Sequence, residues 1–154
     1  MNDQTLKFWN DYWATQKQAP DKEAEAFQFG NDADWLASLV VEGKKTATCS
    51  AHILYELENE PLPQVGQYNI VLDSKGMPVA IIQVVNVSIL PMDEVPEDFA
   101  LAEGVGDYAY WWNAHETFFK GELGERGLTY SESMPLVCER FEVVYKSLDR
   151  REEA

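Results

Sequence analysis

Two apolar runs joined by a four-residue turn constrain this chain most. Gly66 to Leu72 and Val79 to Leu90 are rich in β-branched residues, and Asp73-Ser74-Lys75-Gly76 between them has the composition of a tight turn. Together they predict a β-hairpin. Two further segments read as strands. Thr46 to Ser50 is short and carries β-branched threonines, and Leu136 to Tyr145 alternates so that Val137, Glu139, Phe141, Val143 and Tyr145 fall on one face.

Helical spacing fills much of the rest. Leu6, Trp9, Tyr12 and Trp13 recur at three- and four-residue steps, which predicts an N-terminal helix over about 5–17. A second helix carries Trp35, Leu36, Leu39 and Val40 on one face, is capped by Asn31 or Asp32, and ends at Gly43. Ile53 to Glu60 reads as a helical turn closed by Pro61 and Pro63. Glu97 to Glu103 is a helical piece broken at Gly104-Val105-Gly106, and Tyr110 to Lys120 is an aromatic helix. Residues 18–30, 91–96 and 121–134 read mainly as loop, and a charged tail begins at about 149. Few strands are separated by a crossover helix, so a doubly wound parallel sheet is disfavoured. The fold class expected is α+β, a mixed, curved sheet or small barrel flanked by helices, in a single domain over residues 1–154.

Charge narrows the function. Lys and Arg number 12 against 27 Asp and Glu, a net charge of −15. Binding long nucleic acid needs clusters of cations to displace counterions, whereas an acidic surface repels a polyanion. The basic residues here are the pair Lys44 and Lys45 and a small group of Arg140, Lys146, Arg150 and Arg151. A nucleoside or a short single-stranded RNA is therefore the partner expected, with no long duplex DNA. No apolar run approaches the roughly 20 residues that span a bilayer, and Met1 to Gln18 has no signal-peptide pattern, so no membrane partner and a cytoplasmic location are expected. Cys49 and Cys138 form no C-x-x-C pair and read as ordinary reduced thiols. No His-Glu-x-x-His, Cys/His cluster, phosphate loop or dinucleotide fingerprint occurs, so neither a metal nor a cofactor is expected.

Two stretches carry possible chemistry. In Val41-Glu42-Gly43-Lys44-Lys45-Thr46-Ala47-Thr48 a helix ends at glycine and runs at once into a strand. Thr46 and Thr48 then share a face, and Lys45 lies at the turn. In a closed pocket Lys45 would be a candidate general base beside a threonine nucleophile. The same residues also read as helix-end charges and strand-forming threonines. In Ala102-Glu103-Gly104-Val105-Gly106-Asp107 the glycines make a sharp bend that can turn Glu103 toward a pocket, although most acids of so acidic a chain are solvated. Tyr108, Tyr110, Trp111, Trp112, Phe118 and Phe119 can stack a base, but their helical spacing assigns most of them to the core. His52 and His115 read as structural.

These blocks resemble a family. Gly43-Lys44-Lys45-Thr46-Ala47-Thr48 is similar to the Gly-x-Lys-Thr-x-Thr signature of ASCH domains. Ala102-Glu103-Gly104 with Tyr110-Trp111 and His115-x-x-Phe118-Phe119 resembles the second block of that family, and Val137 to Val144 its last strand. The resemblance runs from about Asp34 to Tyr145. It implies a PUA-like β-barrel flanked by helices, here with an extra N-terminal helix, and a cleft beside its first helix. It also implies RNA-related or nucleoside chemistry. By resemblance to N4-acetylcytidine amidohydrolases, Lys45 is the base, Thr48 the nucleophile and Glu103 the group that binds or protonates the cytidine amine. Thr46, Ser50, Gly104 and Trp111 are the expected binding residues. Ser50 stands where those amidohydrolases carry Arg. The resemblance also admits a ribonuclease, or an RNA-binding module without catalysis.

Overall fold

The computed structural model describes residues 2–17, 24–30 and 32–147. Asn31, Pro20, Arg150, Arg151 and the tail from about 149 lie outside them. Helix α1 spans Asp3–Trp13 and α2 spans Ala33–Val41. Asn2 Oδ1 caps α1 by accepting the Thr5 N–H at 2.7 Å, and Asp32 Oδ1 caps α2 by accepting the Trp35 N–H at 3.1 Å. Of the two caps expected for α2, Asp32 makes the bond. Helices α3 (His52–Leu57), α4 (Glu97–Ala102) and α5 (Tyr108–Gly124) follow, and a 3₁₀ turn at Met92–Glu94 shortens the loop expected at 91–96. Helix α5 continues four residues past Lys120, so the following loop is shorter than expected.

The strands are β1 (Glu25–Gln28), β2 (Ala47–Ala51), β3 (Tyr68–Leu72), β4 (Pro78–Pro91) and β5 (Pro135–Lys146). They form one sheet in the order β1-β3-β4-β5-β2, curled into a half-barrel. The expected hairpin is β3 and β4, paired antiparallel from Tyr68↔Gln83 to Leu72↔Pro78. Strand β5 pairs antiparallel with both β4 and β2, while β1 joins the edge parallel to β3. Of the five strands, β1 alone falls where the sequence predicts loop. Its four residues are too few to show a period, and its pairing is supplied by a strand more than 40 residues later.

One expectation about β5 is corrected. Register shifts occur between Ile81 and Ile82 and between Val84 and Asn86. Ile82 pairs with Val143 but Ile81 with Tyr145, so Val143 and Tyr145 lie on opposite faces. Val143 joins Phe141, Ile82 and Val40 beneath α2, whereas Tyr145 joins Ile81, Trp9 and Tyr12 beneath α1. A third cluster, built on Trp111, Phe119, Leu136 and Phe99, packs α4 and α5 against β2 and β5. The bulges thus let one long strand serve cores on both faces, and the pocket opens between α2 and α5.

Candidate active site

Lys45 reaches the interior because of how α2 ends. Gly43 takes φ +78°, its N–H donates to Val40 O at 3.0 Å, and the Lys44 N–H donates to Leu39 O at 2.9 Å. This paired closure is a Schellman motif, and the left-handed residue at its centre favours glycine. The chain then reverses so sharply that adjacent lysines part company. Lys44 stays in solvent 3.2 Å from Glu42, while Lys45 is 2% exposed.

Glu103 arrives from the other side by a second glycine. Gly104 has φ +78°, and a Cβ there would lie 2.5 Å from the Lys44 carbonyl oxygen. Only a residue without a side chain lets the end of α4 press this closely on the 44–45 backbone. The Thr46 N–H donates to Ala102 O at 2.8 Å and locks the two segments together. Glu103, 2% exposed, then meets Lys45 with Nζ to Oε1 at 3.3 Å.

The ion pair is densely supported. Lys45 Nζ donates to Ala47 O at 2.9 Å and lies 5.0 Å from the centre of the Phe29 ring. Glu103 Oε2 accepts the Trp111 indole N–H at 2.6 Å and the Cys49 thiol at 3.2 Å, and His115 Nε2 is 3.3 Å away. Burial alone would raise the Glu103 carboxyl, but Lys45, His115 and Trp111 outweigh it and hold it at about 2. Burial, reinforced by that carboxylate, pushes the Cys49 thiol well above its ordinary range, so it remains a donor.

Around this centre lies an open pocket of about 140 Å³. Lys45, Thr48, Cys49, Glu103 and His115 lie along it, and Phe29, Trp35, Tyr110 and Phe118 give it aromatic walls. The three residues expected to carry chemistry, Lys45, Thr48 and Glu103, therefore share one cavity. The expected binding residues do not all join them. Thr46 is exposed, with its hydroxyl 3.4 Å from Ala102 O, and Ser50 is engaged with the Tyr55 hydroxyl at 2.8 Å. Gly104 acts through the backbone packing just described. Trp111 is wholly buried, so it holds Glu103 in position instead of facing a ligand. His115, read from the sequence as structural, lines the pocket. So does Cys49, read as an ordinary thiol. His115 falls within the second family block, but its four-residue step from Trp111 is also that of a core helix face, and no local motif marks Cys49.

The signature block, the second block and the closing strand thus meet in space in the order the sequence presents them. The ASCH domain family profile matches residues 25–145. This chain belongs to the ASCH domain family. Its fold is accordingly PUA-like, and the family block starts at β1, leaving α1 outside the match. A structure from Enterococcus faecalis is 39% identical over 99% of this chain and 94% of that chain, with a TM-score of 0.88. An ASCH domain from Lactobacillus crispatus is 34% identical over 94% of this chain and 96% of its own, also at 0.88. Because these two ASCH-type chains are covered nearly end to end, the likeness extends to α1. A variant ASCH protein from Zymomonas mobilis shares the fold at 13% identity over 88% of this chain and 81% of its own, with a TM-score of 0.52. No curated protein matches the chain. Among the described residues no helix is long and apolar enough to cross a membrane.

Proposed function

We propose that this ASCH domain hydrolyses an acyl amide on a modified pyrimidine nucleoside of the N4-acetylcytidine kind. One observation carries the reading: a buried ammonium and carboxylate, Lys45 Nζ and Glu103 Oε1 at 3.3 Å, at the base of a pocket with aromatic walls. An ammonium has three N–H donors, and Lys45 commits two of them, to Ala47 O and Glu103. The third is free for a ligand oxygen. A carboxylate oxygen accepts two hydrogen bonds, and Lys45 is the only donor to Glu103 Oε1 among the described residues. One spare donor beside one spare acceptor complements an amide, with its carbonyl toward Lys45 and its N–H toward Glu103. The flat ring of the base then stacks on the aromatic walls, an interaction worth about 1–3 kcal/mol per base.

Within this reading Thr48 Oγ1 attacks the acyl carbonyl and the bond from that carbon to N4 breaks. The Lys45 ammonium first polarises the carbonyl, then gives one of its protons to the departing amine and takes the threonine proton in its place, so that it ends the step as it began. Water hydrolyses the acyl-enzyme and restores Thr48. The net change consumes one water and yields the free amine and a carboxylic acid. The Thr48 hydroxyl has no hydrogen bond among the described residues, which suits a nucleophile awaiting substrate. The acidic surface, at −15, favours a nucleoside or a short single strand over a long duplex. The two free thiols suit a reducing compartment such as the cytoplasm.

The test is a substrate panel on purified protein, comparing N4-acetylcytidine with single-stranded RNA. Release of cytidine without shortening of RNA supports the reading. Shortened RNA would point to a ribonuclease, and salt-sensitive RNA binding with neither product would point to a binding module; either result contradicts the amidohydrolase.

A further inference from the structure

Cys49 and His115 are not needed for the amide chemistry, yet both converge on one oxygen of Glu103. We propose that Cys49, Glu103 and His115 form a binding site for a divalent cation of the zinc class. The sulfur, a ring nitrogen and a carboxylate oxygen of the three lie within 4.8 Å of one another. Oε2 is 3.2 Å from Cys49 Sγ and 3.3 Å from His115 Nε2. Zinc holds sulfur at roughly 2.3 Å and nitrogen or oxygen at roughly 2.0–2.2 Å, so neighbouring tetrahedral ligands stand roughly 3.3–3.6 Å apart. The two distances to Oε2 need adjustments of only a few tenths of an ångström, and the sulfur and ring nitrogen, within 4.8 Å of each other, close on the ion by side-chain rotation.

The hydrogen bonding of His115 points the same way. Its Nδ1 lies 2.7 Å from the Trp111 carbonyl oxygen. A carbonyl only accepts, so Nδ1 carries the hydrogen, and Nε2 is the ring atom turned toward Glu103, where it can hold a proton or a metal. Either one bridges the 3.3 Å between Nε2 and Oε2. A ring N–H fixed by a backbone carbonyl is also the usual outer support of a metal-binding histidine. With a proton on Nε2 the Cys49 sulfur only donates its thiol hydrogen to the same oxygen, whereas a divalent cation would be ligated by sulfur, nitrogen and oxygen together.

The surroundings accommodate the ion. Oε2 keeps the Trp111 N–H on one lone pair and gives the other to the metal, while Lys45 remains on Oε1. Binding releases the Cys49 proton to solvent and forms a metal–thiolate bond. Strand β2, the end of α4 and helix α5 each supply one ligand, so the three are held by separate, well-packed elements. The pocket side of the ion is left open for a fourth ligand.

The inference does not rest on the amidohydrolase reading, and its test reads metal directly. Metal-stripped protein is titrated with cobalt(II) as a spectroscopic probe and with zinc by calorimetry. Equimolar, saturable cobalt binding with a thiolate-to-cobalt charge-transfer band is expected. Cys49→Ser should abolish that band and weaken zinc by at least roughly tenfold, as loss of even an outer-shell partner does. His115→Ala should weaken zinc similarly, while Cys138→Ser keeps both signals. A wild-type protein that shows no thiolate band, or a band that survives Cys49→Ser, overturns the proposal. The decisive reading comes from the wild type, so a poorly folded variant cannot rescue or sink it.

Discussion

Removing Lys45 should cost this fold more than any ordinary surface lysine, and the structure indicates how much. Lys45→Met keeps most of the side-chain volume but leaves the Glu103 carboxylate buried without its counter-ion. Breaking one partner out of a buried pair typically costs about 3–5 kcal/mol. Glu103 retains Trp111 at 2.6 Å, Cys49 at 3.2 Å and His115 at 3.3 Å, which places the expected loss at the low end, about 3 kcal/mol. Glu103→Gln leaves the ammonium without a counter-charge, with the Ala47 carbonyl, the Phe29 ring and a neutral amide oxygen as its partners. A similar loss of about 3 kcal/mol is expected. If the two charges stabilise each other, the double variant removes both the pair and the stranded charge. It should then lose about 3–4 kcal/mol instead of the roughly 6 kcal/mol of simple addition, a coupling of about 2–3 kcal/mol. Urea unfolding of the four proteins measures this, since guanidinium would screen the charges it is meant to report. Losses that add to within about 0.5 kcal/mol would refute the argument, as would single variants within about 1 kcal/mol of wild type.

Other parts of the site make separate demands. Gly104→Ala forces a side chain into a left-handed backbone position 2.5 Å from the Lys44 carbonyl oxygen, and should cost at least about 1–3 kcal/mol in thermal or urea unfolding. A variant as stable as wild type would show that the two segments can separate without penalty. Trp111→Phe deletes the N–H that reaches Glu103 and should cost about 2–3 kcal/mol, measured by the same unfolding curves. Glu139 sets a pH dependence. Burial lifts its carboxyl from 4.5 to about 7, so the protonated form favours the fold. Its contribution is fully present below about pH 4.5 and is lost as pH rises through 7. Glu139→Gln should therefore stabilise the protein by about 1–3 kcal/mol at pH 8 and little at pH 4. An equal effect at both pH values would contradict the assignment.

How much of this was legible in the chain depends on the range of the interactions. Helices α1, α2 and α5 and the β3–β4 hairpin follow from local periodicity and turn chemistry, and all are present. Strand β1 was hidden because four residues exist as a strand only through their partner β3. Tyr145 was assigned to the wrong face because a period of two counts through a bulge it cannot see. The pairing of Lys45 with Glu103 spans 58 residues. Sequence proposed each residue separately, but their contact requires two left-handed glycines to fold two corners against each other. Ser50 shows the limit in the other direction. A register of two would aim it with Thr48, but the Tyr55 hydroxyl from α3 takes its side chain. His115 and Cys49 gained their place only when α5 closed over β2, and no spacing rule connects residues on a helix and a strand so far apart.

In the proposed function the buried pair and Thr48 form a hydrolytic centre for an acylated pyrimidine. The most direct measurement is the initial rate of cytidine release from N4-acetylcytidine, by chromatography, for wild type, Lys45→Ala and Thr48→Ala in parallel. Turnover by the wild type and its loss in both variants are expected, with folding checked by circular dichroism. Full activity in folded Lys45→Ala or Thr48→Ala, or a wild type that leaves N4-acetylcytidine intact, would contradict it.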